Sequence, residues 1–203
     1  MKNIAIFASG TGSNAAKIVA YFRNNPHIQV RLIVSNRSEA PVLNMARAAG
    51  IETLVVWKHE FYDTQNLLQI LHARQIVFIA LAGFLWLIPD YLVRAYPQRI
   101  VNIHPALLPR YGGKGMYGRH VHEAVKAAGE SESGITIHYV NERYDEGDII
   151  FQKKCILEPN DTSEDIAHKV QALEHRYFAP LIEQLLLSDS AVQDTNSETI
   201  INS

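Results

Sequence analysis

An asparagine and a histidine two residues apart are the pair in this sequence whose types and spacing best suit chemistry. Asn102 and His104 lie at the end of an apolar run that begins at Ile100, and Pro105 follows directly. Residues two apart on a strand point to the same face, so the amide and the imidazole would stand side by side. Two neighbouring hydrogen-bond donors can hold negative charge that develops on an oxygen atom. The pair therefore predicts an oxyanion site at the end of a strand.

A carboxylate in an acidic turn is the third candidate. Asp145 lies in the run Tyr144–Asp148, where Gly147 makes the turn permissive and would let the carboxylate be presented from a loop. A carboxylate near an imidazole favours the imidazolium and fixes its orientation. An acidic turn is more often a solvated loop, and a lone histidine is more often structural, so the pairing of Asp145 with His104 is a hypothesis.

A glycine-rich segment follows the first apolar run, and a helical pattern begins there. It reads Ser9-Gly10-Thr11-Gly12-Ser13-Asn14. Glycines allow close approach of an anion, and the unpaired N–H groups at a helix start point toward a phosphate. A phosphomonoester site accounts best for the two hydroxyls, Ser9 and Ser13.

Two other interpretations of this segment are open. The spacing Gly10-x-Gly12-x-x-Ala15 matches a relaxed dinucleotide fingerprint, but the acidic residue expected about 20 residues further on is replaced by Ser35-Asn36-Arg37. Arg37 could instead face a 2′-phosphate. A tight turn without a ligand is the third interpretation.

The elements that must position these residues alternate between strands and helices. Short runs rich in Val, Ile and Leu predict buried strands at 4–8, 30–34, 54–56, 76–81 and 100–103. Apolar positions three and four apart predict helices at 14–23, 42–49 and 66–73, with others at 89–95 and 119–128. This alternation predicts an α/β fold, a doubly wound, mostly parallel sheet with helices on both faces.

The second half of the chain predicts two paired strands and a long final helix. Segments 134–140 and 149–156 predict strands on either side of the acidic turn, the first with a polar face carrying Thr136 and His138 and a buried face opposite. Residues 163–187 predict an amphipathic helix, bent or restarted at Pro180. We expect one domain over residues 1–187 and a polar, flexible tail over residues 188–203.

Composition excludes several classes of function. The 203 residues carry a net charge of −2, so no global basic field indicates nucleic-acid binding. Cys155 is the only cysteine, which leaves no internal disulfide and no thiolate metal cluster. No apolar run approaches the ~20 residues that span a bilayer, and the start of the sequence lacks signal-peptide features. We therefore expect a cytoplasmic protein of small-molecule substrates, with no membrane partner and no metal; the sequence does not indicate its oligomeric state.

Four motifs occur together and in order. They are SGTGSN at Ser9–Asn14, LAGF at Leu81–Phe84, NIHPALLP at Asn102–Pro109, and the turn Asp145-x-Gly147. Over residues 1–187 the set resembles the phosphoribosylglycinamide formyltransferases, most closely their bacterial single-domain form. The resemblance implies transfer of a formyl group from 10-formyltetrahydrofolate to the amine of glycinamide ribonucleotide, a step of purine synthesis.

The resemblance also assigns roles to residues. It implies a catalytic group of Asn102, His104 and Asp145, in which Asp145 keeps His104 protonated and positions a proton-carrying water. For the ribonucleotide it implies contacts from Gly12, Ser13, Asn14 and, in the final helix, Glu174.

The same resemblance places the folate after the LAGF strand. It implies a pterin pocket formed by the backbone of Leu85, Trp86, Leu87 and Ile88, with Asn102 beside it and residues 140–144 closing the other side. Trp86 stands where many members of the family carry arginine, so we expect this pocket to be lined differently. The glycine-rich loop Gly112–Gly118 is either a mobile lid, with Lys114 available to an anion, or an idle surface loop.

Four other functions are compatible with part of this sequence pattern. Methionyl-tRNA formyltransferase shares the NIHP motif but has a further tRNA-binding domain, and formyltetrahydrofolate hydrolase has a regulatory domain; neither is expected here. A sugar-nucleotide formyltransferase would lack SGTGSN. A nucleotide-binding regulator without catalysis would have no use for Asn102, His104 and Asp145 together.

Overall fold

The fold is built on a central seven-stranded sheet flanked by helices. The structure is a computed structural model that describes residues 1–198. Within them the strands are β1 (Lys2–Phe7), β2 (Ile28–Ser35), β3 (Glu52–Val55), β4 (Ile76–Leu81), β5 (Ile100–His104), β6 (Glu132–Tyr139) and β7 (Ile149–Ile156). Their order in the sheet is β3-β2-β1-β4-β5-β6-β7. Strands β1 to β5 pair in parallel, whereas β6 and β7 pair antiparallel with their neighbours.

Helices connect the parallel strands and cover the sheet. They are α1 (Ser13–Phe22), α2 (Pro41–Ala48), α3 (Lys58–Asp63), α4 (Asn66–Ala73), α5 (Asp90–Ala95), α6 (Arg119–Ala127) and α7 (Ser163–Glu198). The predicted alternation and the predicted mostly parallel sheet are therefore confirmed. Helix α3 was not predicted from the sequence, because six residues are too few to show an apolar period.

The final helix differs from its prediction in two ways. It continues without interruption through Pro180, so the expected restart there is wrong while the expected bend stays a prediction, and it extends past Leu187 to Glu198. The expected polar tail began at Ser188, so its first part is helical; residues 199–203 lie outside the described residues. The division into a domain over 1–187 and a flexible tail stays a prediction.

Two apolar cores lie on opposite faces of the sheet, as the alternation along β1 shows. Ile4 and Ile6 belong to the core packed against α1, α2, α6 and α7. Ala5 and Phe7 belong to the core packed against α3, α4 and α5. Because successive side chains of a strand point to opposite faces, both faces of β1 are covered, as expected of a strand in a doubly wound sheet.

The order of the strands creates a crevice at one edge of the sheet. From β1 the chain proceeds to β2 on one side, and later returns through β4 on the other side. The loops that leave β1 and β4 therefore diverge at their carboxyl ends, which is where open α/β sheets bind ligands. Among the described helices, none combines the length and apolar character needed to cross a membrane.

Candidate functional site

A large cavity opens at the carboxyl edge of the parallel strands. Its volume is about 1190 Å³. It is lined by the loop after β1, the segment after β4, the end of β5, the glycine-rich loop, the acidic turn and the first turns of α7. Every region that the sequence analysis singled out therefore borders one cavity.

The loop after β1 presents backbone to this cavity. Gly12 caps α1 in a left-handed conformation, with φ of 76°. A Cβ at Gly12 would come within 2.4 Å of the Val42 side chain, whereas one at Gly10 would meet nothing within 4 Å. Glycine at position 12 is therefore required by the fold, and glycine at position 10 leaves space that faces the cavity.

Asn14 links this loop to the final helix. Its Nδ2 donates to Oε2 of Glu174 at 3.0 Å, while its Oδ1 is buried and has no hydrogen-bond partner. Burial raises the pKa of Glu174, and the Asn14 hydrogen bond opposes that shift. Gln171 of the same helix donates to Oγ of Ser13 at 3.4 Å. The predicted substrate residues Gly12, Ser13, Asn14 and Glu174 thus lie together at one end of the cavity.

The two serine hydroxyls of this loop have different surroundings. Ser9 is buried, and its Oγ accepts the backbone N–H of Leu85 at 2.9 Å. The Ser9 hydroxyl thus ties the β1 loop to the segment after β4, and since Ser9 also lines the cavity, a phosphate contact from both hydroxyls stays a prediction. Ser13 is only half-buried and lines the cavity, as does Arg37 beside the loop.

Asn102 and Asp145 meet beside the end of β5. The amide Nδ2 of Asn102 donates to Oδ1 of Asp145 at 3.3 Å and lies 3.1 Å from Nε2 of His138. His138 Nδ1 lies 2.8 Å from the carbonyl oxygen of Tyr139, which can only accept, so the ring proton of a neutral His138 is on Nδ1. Its Nε2 is then free to accept from Asn102. Both N–H groups of the Asn102 amide are thereby engaged in the ligand-free site.

His104 lies behind the glycine-rich loop. Its side chain is 3% exposed, and it is not among the residues that line the cavity. Nε2 donates to the carbonyl oxygen of Tyr111 at 2.8 Å. Nδ1 lies 3.5 Å from Oδ2 of Asp145, which is longer than an ordinary N–H···O hydrogen bond. The predicted neighbour of His104, Asp145, is present, but the imidazole itself does not border the cavity.

The protonated His104 expected from the sequence is not what this closed site favours. Burial lowers the pKa of His104 below its ordinary value, and His138 adds to the shift, although Asp145 and the Tyr111 carbonyl oppose it. A neutral ring with its proton on Nε2 is consistent with the short Tyr111 contact and the longer Asp145 contact. The carboxylate does hold the ring in place, but it does not outweigh burial.

Asp145 reaches the site from a strained backbone conformation. It is itself in the left-handed region, with φ of 57°, a conformation that aspartate adopts more readily than most residues. Gly147 was expected to relax this turn. Its need for glycine is instead steric, because a Cβ there would lie 1.7 Å from the Tyr139 carbonyl oxygen. The pKa of Asp145 is lowered: burial opposes ionisation, but His138, His104 and the N–H of Gly113 together outweigh it.

The predicted polar face of β6 is buried. Thr136 is 0% and His138 is 2% exposed, so both faces of the strand are covered, contrary to expectation. Thr136 Oγ1 donates to the Ala106 carbonyl at 2.7 Å and accepts the N–H of Leu108 at 2.9 Å. These contacts fix the chain directly after His104 against the sheet.

The predicted folate segment borders the cavity only in part. Leu85 lines the cavity, whereas Trp86, Leu87 and Ile88 do not. Ile88 is buried in the second core, and the Leu87 carbonyl accepts the Tyr62 hydroxyl at 3.1 Å. From the opposite side Tyr144 lines the cavity, as expected for a wall facing this segment.

The glycine-rich loop forms one wall of the cavity. Residues 113–118 line it, Lys114 among them. The loop is anchored at its start, because the N–H of Gly113 donates to Oδ2 of Asp145 at 2.9 Å. A Cβ at Gly112 would lie 2.4 Å from Leu108 and 3.3 Å from Asp145. The interpretation as an idle surface loop is wrong, since the loop contacts the site; its mobility stays a prediction.

Sequence reasoning missed two groups at the site. The Tyr111 carbonyl carries no side-chain signal, so its contact with His104 could not be anticipated. His122 lies on α6, lines the cavity and has a buried Nδ1 without a partner. Burial lowers its pKa, and the charge of His104 adds to the shift. The available signal for His122 was that His104 and His122 lie on two consecutive elements of the chain, β5 and α6.

The fold and the site together define a class: doubly wound α/β proteins with an anion-binding loop after the first strand and an amide, an imidazole and a carboxylate at the end of the fifth. The chain belongs to the formyl transferase family, whose sequence profile matches residues 2–182.

Curated relatives and solved structures agree with this family. The chloroplastic phosphoribosylglycinamide formyltransferase of Arabidopsis thaliana is 41% identical over 187 residues, which are 89% of this chain and 64% of that relative. The chain thus spans less than two thirds of the plant relative's length. Phosphoribosylglycinamide formyltransferase of Bacillus subtilis is 37% identical over 191 residues, 92% of this chain and 95% of the relative. The crystal structure of the Bacillus halodurans phosphoribosylglycinamide formyltransferase superposes with a TM-score of 0.81 at 35% identity, covering 91% and 95% of the two chains.

Aspartate, glutamate, histidine and cysteine side chains are common protein ligands of metal ions. Within residues 1–198 no three or more of them are placed to hold a metal ion. The expectation of a metal-free reaction stays a prediction.

Proposed function

We propose that this protein transfers the formyl group of 10-formyltetrahydrofolate to the amine of glycinamide ribonucleotide. The observation that carries the proposal is the meeting of Asn102, His104 and Asp145 at the same sheet edge as the β1 loop. Relatives of the same family that cover most of this chain bear the corresponding name. A phosphorylated amine and a formyl donor are the two ligands that such a cavity must bring together.

The ribonucleotide is assigned to the β1 loop. Its phosphate would lie against the N–H groups at the start of α1, where the helix dipole and unpaired donors favour an anion. Space at Gly10 and the cation of Arg37 support this position. Glu174 and the unpaired Oδ1 of Asn14 would accept hydrogen bonds from polar groups of the same substrate.

The folate is assigned to the part of the cavity between the segment after β4 and the acidic turn. Leu85, Tyr144 and Asn102 all line the cavity. We propose that backbone groups of residues 85–88 contact the pterin, as the resemblance implies. This placement brings the formyl group attached to N10 next to the Asn102 amide.

Stabilisation of the formyl oxygen would fall to Asn102 and His104. The substrate amine attacks the formyl carbon, and negative charge grows on its oxygen. In the closed site the Asn102 amide is engaged by Asp145 and His138, and Nε2–H of His104 by Tyr111. A bound formyl oxygen would replace one contact of each donor, which requires the Tyr111 carbonyl to move away. A growing oxyanion beside His104 then favours the imidazolium that burial alone disfavours.

Asp145 would assist transfer of a proton from the attacking amine to the leaving N10. It orients His104 through Nδ1 and offers a carboxylate near the attacking amine. We propose that it positions a water which takes the proton from this amine and delivers it to the leaving N10. No covalent bond between enzyme and formyl group is needed.

We further propose that the substrates are small molecules only, without nucleic acid, that no metal takes part, and that the reaction runs in the cytoplasm. The net charge of −2 and the single cysteine support the first two points.

The proposal is tested by turnover of the purified protein with both substrates, followed at the absorbance of the folate product. Product should form only when glycinamide ribonucleotide is present. Product formation at the same rate without the ribonucleotide would mean that water is the acceptor, and the protein would be a hydrolase. Turnover with formyl-free tetrahydrofolate in place of the donor serves as the blank.

A further inference from the structure

Tyr111, whose carbonyl oxygen accepts from His104, lies in an unfavourable backbone conformation. Its φ is 59°, in the left-handed region, which a bulky residue adopts rarely and keeps only where several contacts hold it. The hydrogen bond from Nε2 of His104, at 2.8 Å, is one of these contacts. One such bond adds little net stability, so other contacts of Tyr111 must hold its carbonyl in place.

The side chain of Tyr111 makes these other contacts. Its hydroxyl donates to Oε1 of Glu130 at 2.6 Å. The guanidinium of Arg110 lies over the Tyr111 ring, 5.3 Å from its centroid, and pairs with both carboxylate oxygens of Glu130. Hydrogen bonds to a carboxylate are shorter and stronger than those between neutral groups. Because the Glu130 side chain is only 17% exposed, solvent screens these contacts less than it screens a surface ion pair.

Glu130 itself lies away from the cavity. It follows α6, its N–H donates to the Val125 carbonyl at 3.4 Å, and it is not among the residues that line the cavity. Its carboxylate is therefore anchored to the end of a helix and does not face the proposed substrate positions. Any influence of Glu130 on the site must pass through Tyr111.

The chain on the other side of the Tyr111 carbonyl is also held. Two residues further on, the N–H of Gly113 donates to Oδ2 of Asp145 at 2.9 Å. The peptide group that carries the carbonyl thus lies between two attachments, one to Glu130 through the tyrosine hydroxyl and one to Asp145. Uncovering Nε2 of His104 requires one of the two to yield.

We propose that Glu130 is a positioning residue for formyl transfer, which holds the Tyr111 carbonyl on His104 until the formyl group arrives. The proposal rests on the proposed function, because the formyl oxygen is the group that replaces this carbonyl. A ligand that needs the uncovered imidazole binds only the fraction of molecules in which Tyr111 has moved, and its apparent affinity is reduced by that fraction. A ligand without a formyl group bears no such reduction.

Two ligands that differ only in the formyl group test the proposal by calorimetric titration. They are folic acid and 10-formylfolic acid. Glu130→Ala should bind 10-formylfolic acid about fivefold more tightly than the wild type does, the effect of losing about one hydrogen bond that holds the covered state. Its affinity for folic acid should be unchanged. Glu130→Gln, which keeps an acceptor oxygen for the tyrosine hydroxyl, should remain close to the wild type.

Tyr111→Phe removes the same hydrogen bond from its other end. It keeps the ring and the backbone carbonyl, so it should reproduce the selective gain for 10-formylfolic acid. The double variant Tyr111→Phe/Glu130→Ala should gain no more than either single variant, because both changes remove one contact. Gains that add in the double variant would mean that the two residues act separately and would overturn the proposal.

A second measurement needs no ligand. Exchange of the His104 Nε2 proton with solvent, followed by NMR, should be about fivefold faster in Glu130→Ala than in the wild type, because the carbonyl leaves this proton more often. Glu132→Ala is the matched control. Glu132 pairs with Lys154 at 2.9 Å and has no hydrogen bond to Tyr111 or Arg110 among the described residues, so both affinities and the exchange rate should stay at wild-type values.

An equal gain for both ligands in Glu130→Ala would place the effect outside the formyl position and overturn the proposal. An unchanged exchange rate in a variant that melts like the wild type would overturn it as well. If Glu130→Ala does not fold, Tyr111→Phe decides by the same two measurements. Wild-type turnover is measured separately, so absence of formyl transfer together with the expected change in proton exchange would count against the proposed function instead.

Discussion

The two ends of the cavity differ in how ready they are to bind a ligand. At the β1 loop, a Cβ at Gly10 would meet nothing within 4 Å and the Asn14 Oδ1 has no partner. At the end of β5, the donors of Asn102 and His104 are already engaged by Asp145, His138 and Tyr111. One end is prepared for its ligand, and the other is closed upon itself.

This difference indicates an order of events. Under the proposed function, the prepared end binds a phosphate at little conformational cost, whereas the formyl oxygen must first displace protein groups from the donors of Asn102 and His104. Binding energy gained at the open end and in the folate pocket can be used to open the closed end, which is how remote contacts contribute to catalysis. The closed arrangement also keeps the reactive groups from water until substrates are present.

The largest expected effect comes from removing the imidazole. His104→Ala should lower kcat by about 10²–10³, the usual result of losing one oxyanion donor, with KM for both substrates little changed. Steady-state kinetics and a thermal melt of the same preparation check this. If the variant keeps near-wild-type turnover, His104 takes no part in the reaction at the closed end.

Asp145→Asn tests the charge at that end while keeping the side chain's shape. The carboxylate raises the His104 pKa against burial, so removing its charge should lower that pKa further. We expect kcat to fall by about 10², with dissociation constants of both substrates nearly unchanged. Histidine titration by NMR in both proteins provides the measurement. If the pKa of His104 is the same in both proteins, Asp145 does not act on the imidazole.

The open end is tested by a pair of glycine variants. Gly10→Ala adds a methyl group into empty space that faces the cavity, so it should raise KM for the ribonucleotide about tenfold without changing KM for the folate. Gly12→Ala serves as the control for the fold, because its Cβ would clash with Val42 at a left-handed position. It should lower the melting temperature, and Gly10→Ala should not. Equal KM effects on both substrates from Gly10→Ala would place the phosphate elsewhere.

The smallest effect concerns burial near the closed end. Burial lowers the pKa of His122, so the folded protein takes up a proton there less readily than the unfolded chain. The resulting stability is fully present above the ordinary histidine pKa of about 6.5 and is lost as pH falls below it. Between pH 7.5 and 5.5 the melting temperature of His122→Gln should therefore fall about 2 °C less than that of the wild type. If the melting temperatures of the two proteins fall equally between pH 7.5 and 5.5, folding does not lower the pKa of His122.

Sequence patterns predicted the framework well because it depends on local signals. An uninterrupted apolar run located β4 to the residue, and the segment predicted after the acidic turn matches β7 to the residue. The spacing of Asn102 and His104 on one strand brought both to the same edge. The motif also identified Asp145 as their neighbour. Each of these is a property of a few consecutive residues or of a family's pattern of motifs in order.

What could not be predicted depends on contacts between distant segments. The Tyr111 carbonyl closes over His104 through backbone geometry, and no side-chain type reveals it. Burial of His104 lowers its pKa, which opposes the protonated ring expected from the sequence. Pro180 lies within α7 without interrupting it, because packing of the long helix against the sheet outweighs the local preference for a break.

The hydrogen bond between the Ser9 hydroxyl and the Leu85 N–H joins the platforms of the two proposed substrates. The ends of β1 and β4 cannot shift independently while it is intact. A displacement that the ribonucleotide imposes on the β1 loop is therefore carried to the folate segment. Thermodynamic linkage requires the reverse influence to be equal in free energy. We therefore predict that the two proposed substrates affect each other's binding across this sheet edge, through the Ser9 hydroxyl together with the Ser9 N–H, which donates to the Gly83 carbonyl at 3.0 Å.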